Sequence, residues 1–167
     1  MDVDLPGEDG ISATRDVLRS CPSAQVLIIT ALQDPQLMAR AVEVGAAGFV
    51  TKTRAAEDLI SMIRAAAAGE MVLPEARATE ILRQLQSWRR RSVVEGSEAR
   101  LSEREREVLQ AFADGLSTQE VAGKLFISER TIQSHIRSIL SKLGLHSKLQ
   151  AVMWALRQGL IRLRSPE

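Results

Sequence analysis

The segment from 128 to 143 constrains the fold most, because it carries two different faces at helical spacing. Aliphatic residues recur at i, i+4, i+7, i+8 and i+11, which predicts one buried stripe along a helix. They are Ile132, Ile136, Ile139, Leu140 and Leu143. The opposite face carries only basic, amide and small hydroxyl residues: Arg130, Gln133, Ser134, Arg137, Ser138 and Ser141. A helix that presents such donors and no carboxylate on that face suits a polyanionic partner.

The charge distribution supports this interpretation. No Asp or Glu occurs from Arg130 to Pro166, and residues 101–167 hold ten Lys and Arg against seven acidic residues. Residues 1–100 hold twelve against fourteen, although the whole chain has a net charge of only +1. The basic surplus therefore lies in the same half as the two-faced helix, as expected of a nucleic-acid-binding domain.

The flanking helices have clear sequence boundaries. Ser-x-x-Glu or Ser-x-x-Gln capping boxes begin at Ser102, Ser117 and Ser147, and Ser128 is a fourth N-cap candidate. Gly115 and Gly144 stand where helix ends favour a left-handed residue. These signals predict four helices near 102–113, 117–125, 128–143 and 147–158. The second and third meet across residues 126–127, which predicts a helix-turn-helix.

The motifs in this half resemble the LuxR-type DNA-binding domain. They read LSEREREVL from Leu101, GLSTQEVA from Gly115, LFIS from Leu125 and TIQSHIR from Thr131, with KLG from Lys142. The resemblance implies that the third helix enters the major groove of DNA. It places Gln133, Ser134 and Arg137 at bases, Ser128, Arg130, Thr131 and Lys142 at phosphates, and Thr118 and Ser138 in the wider DNA-binding set. The family often has Lys where this chain has Gln133, and glutamine can pair with an adenine edge.

The last helix is expected to pair two subunits in such a domain. Its sequence is apolar on more than one side, so part of it must pack on the domain's own core. The excess around Ala151, Trp154 and Ala155 is the predicted dimer face.

The first half alternates strand and helix patterns. Residues 25–30 and 47–52 are short apolar runs that predict buried parallel strands. Asp34 followed by Pro35 predicts a helix start, and that helix ends at Gly45. An alanine-rich helix is predicted over 55–68. This alternation predicts an α/β architecture with a parallel sheet.

These elements resemble the second half of a response-regulator receiver domain. Asp2 matches the phosphoacceptor, Thr30 the hydroxyl that contacts the phosphoryl group, Phe49 the switch aromatic and Lys52 the invariant lysine of that family. The resemblance implies an α/β remnant of a flavodoxin-like receiver with three parallel strands, followed by an all-α four-helix helix-turn-helix domain. Together they resemble a response regulator of the NarL/FixJ type, with an N-terminally truncated receiver.

The missing receiver elements carry two expectations. The acidic pair that binds magnesium in a complete receiver is absent, so no cofactor or metal is expected and phosphorylation of Asp2 is disfavoured. The absence of two strands also exposes a sheet edge. A partner that adds strands, a swapped dimer, and residues lost from the N-terminus all remain open as explanations.

The predicted division is a partial receiver over 1–69, a linker over 70–100 and the DNA-binding domain over 101–167. The linker contains an amphipathic helix with Ile81, Leu85 and Trp88 on one face, followed by a basic triplet at 89–91 that either contacts phosphate or complements the helix dipole. One cysteine, Cys21, no apolar run of membrane-spanning length and no signal peptide predict a cytoplasmic protein.

Two functions follow as hypotheses. The first is a transcription regulator that binds double-stranded DNA as a dimer, with a sensor histidine kinase as candidate partner and no membrane association. The alternative is an interaction module, in which the partial receiver pairs with an intact homologous regulator and modulates it. An enzyme is not expected, because no nucleophile, base and orienting residue converge in the sequence.

Overall fold

The structure is a computed structural model that describes residues 1–5, 8–31, 34–73 and 101–163. The chain divides into two compact units, Met1–Ala78 with His146–Gln150 and Thr79–Leu145 with Ala151–Glu167. The first contains α/β elements and the second is helical, which confirms the predicted fold class. The linker helix and basic triplet predicted within 74–100 lie outside the described residues.

The first unit alternates short strands and helices. Its elements are β1 (Asp4–Leu5), β2 (Glu8–Asp9), α1 (Gly10–Ser20), β3 (Leu27–Thr30), α2 (Pro35–Val44), β4 (Gly48–Thr51) and α3 (Lys52–Ala67). Helix α2 begins as predicted, with the Asp34 side chain accepting from the Gln36 N–H, and ends at left-handed Gly45. Helix α3 begins three residues earlier than predicted and is kinked at Asp58, whose side chain caps the following turn through the Ser61 N–H.

Strands β3 and β4 form the parallel pair predicted from their apolar runs, with Leu27 opposite Gly48. The expected third strand is shorter, because Asp2 makes only an isolated parallel bridge to Ile29. The Met1 ammonium donates to the Leu27 carbonyl at 2.8 Å and fixes this segment beside β3. On the other side of the pair, Val72 makes an isolated bridge to Gly48, which the sequence pattern did not predict.

One apolar cluster of the first unit lies between this sheet and α3. Leu27 and Val50 from the strands pack with Met62 and Ala66 from the helix. Burial of these side chains holds α3 against β4, and so it places the start of α3 close to the carboxyl end of that strand.

The second unit contains α4 (Glu103–Ala113), α5 (Thr118–Leu125) and α6 (Glu129–Leu143). The last helix, α7 (Lys148–Arg157), begins in the segment assigned to the first unit and continues in the second. The predicted boundaries are confirmed to within a residue or two. Both reciprocal hydrogen bonds of the capping box form at the starts of α4 and α5. At α7 only half of the predicted box forms, because the Gln150 side chain accepts from the His146 N–H instead of from Ser147.

The aliphatic stripe of α6 anchors that helix to its neighbours. Ile132 and Ile139 are fully buried, and Ile136, Leu140 and Leu143 are half-buried. Helix α6 contacts both α4 and α5. Val108, Leu109 and Phe112 of α4 and Val121 of α5 are fully buried as well. This packing determines which side of α6 remains at the surface.

Candidate nucleic-acid interface

The surface side of α6 carries the predicted DNA-contacting residues. The Ser128 hydroxyl accepts from the Thr131 N–H at the start of the helix, which orients the first turn. The side chains left exposed include those predicted at bases and at phosphates: Ser128, Arg130, Thr131, Gln133, Ser134 and Arg137. This set contains two guanidinium groups and an amide, the groups that bind phosphates and base edges. Glu129 is the only acidic residue of the helix.

Two further residues predicted to contact DNA, Ser138 and Lys142, instead bind Glu105 of the same chain. The Lys142 ammonium lies 2.7 Å from Oε1 and 2.9 Å from Oε2 of Glu105. The Ser138 hydroxyl donates to Glu105 Oε1 at 2.9 Å. The Glu105 side chain is only 4% exposed, whereas that of Lys142 is 45% exposed. The carboxylate of α4 therefore holds the C-terminal half of α6 from beneath. Sequence motifs identified Glu105 only as a capping residue.

The charge of Glu105 is strongly stabilised. Burial by itself raises the pKa of this carboxyl, but hydrogen bonds from Lys142, Ser102 and Ser138 outweigh burial and lower the pKa to about 2. The Ser102 N–H donates to Oε2 at 2.8 Å, so one carboxylate both caps α4 and binds α6.

Thr118 does not belong to this surface. It was predicted as a DNA contact, but it is 6% exposed at the start of α5. Its position follows from the packing of the first turn of α5, where Val121 and Ala122 are also buried. Its role as a DNA contact stays a prediction.

Sequence reasoning gave no role to Phe126, which stands in the turn before α6. Its side chain is 96% exposed, and its φ of 54° places it in the left-handed region. Among the residues that the structure describes, it is the only one besides glycine with positive φ. The sequence did hold a clue to this conformation. A helix often ends in a left-handed residue that is usually glycine, and no glycine follows α5.

The residues of the predicted dimer face lie on α7. Ala151 and Ala155 are fully buried, and Trp154 is half-buried. Leu149, Val152, Met153 and Leu156 are buried too. The assignment of Ala151, Trp154 and Ala155 to a dimer face stays a prediction.

In the first unit, two of the four receiver-like residues are in contact. Lys52 Nζ lies 2.8 Å from Asp2 Oδ2, and both side chains are partly exposed. Thr30 ends β3 and is buried, as is Phe49 on β4. The parallel register places Thr30 opposite Thr51, the residue before Lys52. Asp2, Thr30 and Lys52 thus lie at the same end of the sheet.

A magnesium site does not form around Asp2 within the described residues. There, no three Asp, Glu, His or Cys side chains come close enough together to hold a metal ion. The Asp9 carboxylate caps α1 and pairs with Arg40 at 2.6 Å.

Comparison with known families agrees with both units. Residues 99–155 match the family described as bacterial regulatory proteins, luxR family, and residues 1–64 match the response regulator receiver domain. The chain belongs to the two-component response regulators of the NarL/FixJ type, which join these two domains. Like other members of this family, it is a DNA-binding transcription regulator and not an enzyme.

Individual relatives extend over nearly the whole chain. It is 33% identical to the uncharacterized transcriptional regulatory protein YxjL of Bacillus subtilis (strain 168), over 97% of this chain and 74% of that protein. It is 32% identical to the transcriptional regulatory protein LiaR of the same organism, over 96% and 75%. Among solved structures it is similar to the response regulator ChrA of a heme-sensing two component system, with 35% identity over 96% and 75% of the two chains and a TM-score of 0.39.

No helix in the described ranges combines the length and the apolar character that crossing a membrane requires.

Proposed function

We propose that the chain binds a two-fold symmetric DNA site as a dimer, with α6 of each subunit in a major groove. The observation that carries this proposal is the exposed side of α6, where Arg130, Gln133 and Arg137 project from a helix anchored by Ile132 and Ile139. The turn before α6 and the Ser128 cap direct its N-terminal half outward, and this is the half that contacts base edges in helix-turn-helix proteins.

Individual roles follow from side-chain chemistry. Gln133 and Arg137 are proposed to contact bases, because an amide pairs with adenine and a guanidinium with guanine. Ser134 lies beside them and accepts from Arg137 at 3.3 Å, which orients the guanidinium. Ser128, Arg130 and Thr131 lie at the start of the helix and are proposed to bind phosphates. These contacts would fix the position of the helix along the duplex.

A binding selection tests these roles. The wild-type chain is used to select duplexes from random-sequence DNA, and Arg137→Ala, Gln133→Ala and Arg15→Ala are then measured on the selected duplex. We expect Arg137→Ala to weaken binding by roughly tenfold or more, and Gln133→Ala to change the preferred base at one position. Arg15 is exposed on α1 and its variant serves as the charge-matched control. If Arg137→Ala and Gln133→Ala both bind like the Arg15→Ala control and wild type, α6 is not the DNA-contacting helix.

A second role, pairing with a homodimer partner or with an intact response regulator, is supported by α3. Ile60 and Ile63 lie one turn apart on this helix and remain 67% and 51% exposed. Exposed aliphatic side chains adjacent on a helix are typical of an interaction surface. We propose that this face contributes to self-association or to a mixed dimer that modulates the intact regulator.

Sedimentation of the chain alone and mixed with an intact homologous regulator tests that role. Ile60→Asp with Ile63→Asp should abolish association, whereas Val17→Asp on α1 is the control at another exposed aliphatic residue. Association that survives the double substitution would exclude the α3 face. DNA binding that requires the intact regulator would favour the mixed dimer over the homodimer.

We further propose that Asp2 does not act as a magnesium-dependent phosphoacceptor in this chain. The support is the ion pair between Asp2 and Lys52, together with the finding that no three Asp, Glu, His or Cys side chains of the described residues form a metal-holding group. Incubation with acetyl phosphate and MgCl2, followed by phosphate-affinity electrophoresis of wild type and Asp2→Asn, tests this. A slower band in wild type alone would contradict the proposal.

A further inference from the structure

Glu105 is placed to do more than cap a helix. It is the third residue of α4, yet two of its hydrogen-bond donors, Ser138 and Lys142, come from α6. These two donors are one turn apart and follow Ser134 at the same spacing, so the three lie on one side of α6. A bond to two successive turns fixes the rotation of a helix about its axis, which a single contact cannot do.

The rotation of α6 about its axis determines which of its side chains face DNA. Gln133 and Arg137 are both exposed and each precedes by one residue the row of Ser134, Ser138 and Lys142, so they lie about 100° around α6 from that row. Turning α6 by one residue would move them from the surface toward the packing side, because successive residues are about 100° apart on a helix. The aliphatic stripe limits this rotation, but three of its five side chains are only half-buried.

The same contact pairs the positive charge of Lys142 with a carboxylate. Its ammonium contacts both oxygens of a nearly buried carboxylate, so the pair is neutral. A lysine that binds phosphate releases a counterion from DNA and steepens the salt dependence of binding. A lysine whose charge is already paired within the protein adds no such counterion release.

We propose that Glu105 is a positioning residue for DNA recognition: it fixes the rotation of α6 through Ser138 and Lys142, and Lys142 serves this contact instead of a phosphate. This inference rests on the function of α6 proposed above. It alters one predicted role, since the family resemblance places Lys142 at a phosphate.

The chain contains a matched control. Glu120 occupies the same third position of α5 in the same type of capping box, but its carboxylate accepts only from Ser117. Glutamine can replace glutamate in a capping box. Glu105→Gln therefore keeps the cap of α4 and removes the ion pair, while Glu120→Gln makes the same chemical change without affecting α6.

The experiment measures binding of the full chain to the duplex selected by wild type and to a scrambled duplex of equal composition, over a range of salt concentrations. Glu105→Gln should lower the ratio of the two affinities by roughly tenfold, the scale of one lost base contact. On the scrambled duplex its salt slope should steepen by about 0.9, one phosphate contact, because the ammonium of Lys142 is released. Glu120→Gln should match wild type in both measurements.

Lys142→Gln distinguishes the two roles of the lysine. It should leave the salt slope at the wild-type value, whereas Arg137→Gln should reduce it by about 0.9. The double variant Glu105→Gln/Lys142→Gln, which has no buried charge, should recover the wild-type slope and keep the low affinity ratio. It also covers the case in which a single variant fails to fold, which circular dichroism would detect.

Two results would overturn the inference while leaving the proposed function intact. One is that Lys142→Gln reduces the slope as Arg137→Gln does, and the other is that Glu105→Gln behaves like Glu120→Gln. Failure of the wild-type chain to select any duplex would instead overturn the proposed function, and this inference with it.

Discussion

Helices α4 and α5 begin with the same Ser-x-x-Glu motif but lie in different surroundings. Each begins with a Ser-x-x-Glu capping box in which both hydrogen bonds form, and each is followed by a residue in the left-handed region. The glutamate of α4 is buried under α6, whereas that of α5 remains at the surface. The left-handed residue is Gly115 after α4 and Phe126 after α5. One local motif can therefore be either a helix end alone or a helix end that also holds a tertiary contact.

The largest expected difference is in stability. Glu105→Ala should lower the free energy of unfolding by about 3 kcal/mol, because it removes a carboxylate that accepts hydrogen bonds from Lys142, Ser138 and Ser102. Glu120→Ala should cause a much smaller loss, since its carboxylate serves only the cap. Urea unfolding followed by circular dichroism measures both. Equal losses would mean that the contact with α6 adds nothing to the cap.

The second expected difference is in how the stability of wild type and of Glu105→Gln depends on pH. The folded-state pKa of Glu105, about 2, lies below its ordinary value of 4.5. The group therefore contributes stability above pH 4.5, and this contribution is lost as the pH falls through the folded pKa. The loss amounts to about 3 kcal/mol. Unfolding measured between pH 6 and pH 2 should show this loss in wild type but not in Glu105→Gln. A decline of equal size in both would assign it to other carboxylates.

The opposite ends of the two helices predict changes of opposite sign. Phe126→Gly should stabilise the helical unit by about 1 kcal/mol, because it removes left-handed strain from a side chain that is almost fully exposed. Gly115→Ala should destabilise it by about 1 kcal/mol. Thermal unfolding compares the two. A loss of stability in Phe126→Gly would show that the ring contributes a contact that offsets its strain.

The smallest effect concerns Gly123 inside α5. A Cβ built there meets no atom within 4 Å, so alanine fits without displacement. Gly123→Ala should therefore stabilise the protein by just under 1 kcal/mol, the difference in helix propensity. Its melting temperature and DNA affinity should be measured together. Reduced DNA affinity in this variant would indicate that a phosphate backbone approaches α5 at this glycine.

The helices of the second unit were predictable because their limits are local. Ser102, Ser117 and Ser128 act on amides within three residues, and their signals can be identified in the sequence alone. The contact between Glu105 and Lys142 was not predictable in this way. It joins residues 37 positions apart, and both already had another interpretation, as a cap and as a phosphate contact.

The sheet and the dimer face show the same limit. Apolar runs predicted β3 and β4, but the number of residues that pair depends on the neighbouring segments. The strand expected at Asp2 is only one bridge, and Val72 pairs with Gly48 without a strand signal of its own. The alanines of α7 were assigned to a partner, and composition alone does not distinguish a helix covered by its own chain from one covered by another.

Because the Glu105 carboxylate is shielded from water, dissolved ions screen its bond to Lys142 far less than they screen exposed charges. Arg130 and Arg137 face solvent and remain sensitive to those ions. Added salt should therefore weaken the hold of these arginines on DNA more than it disturbs the contact that orients α6.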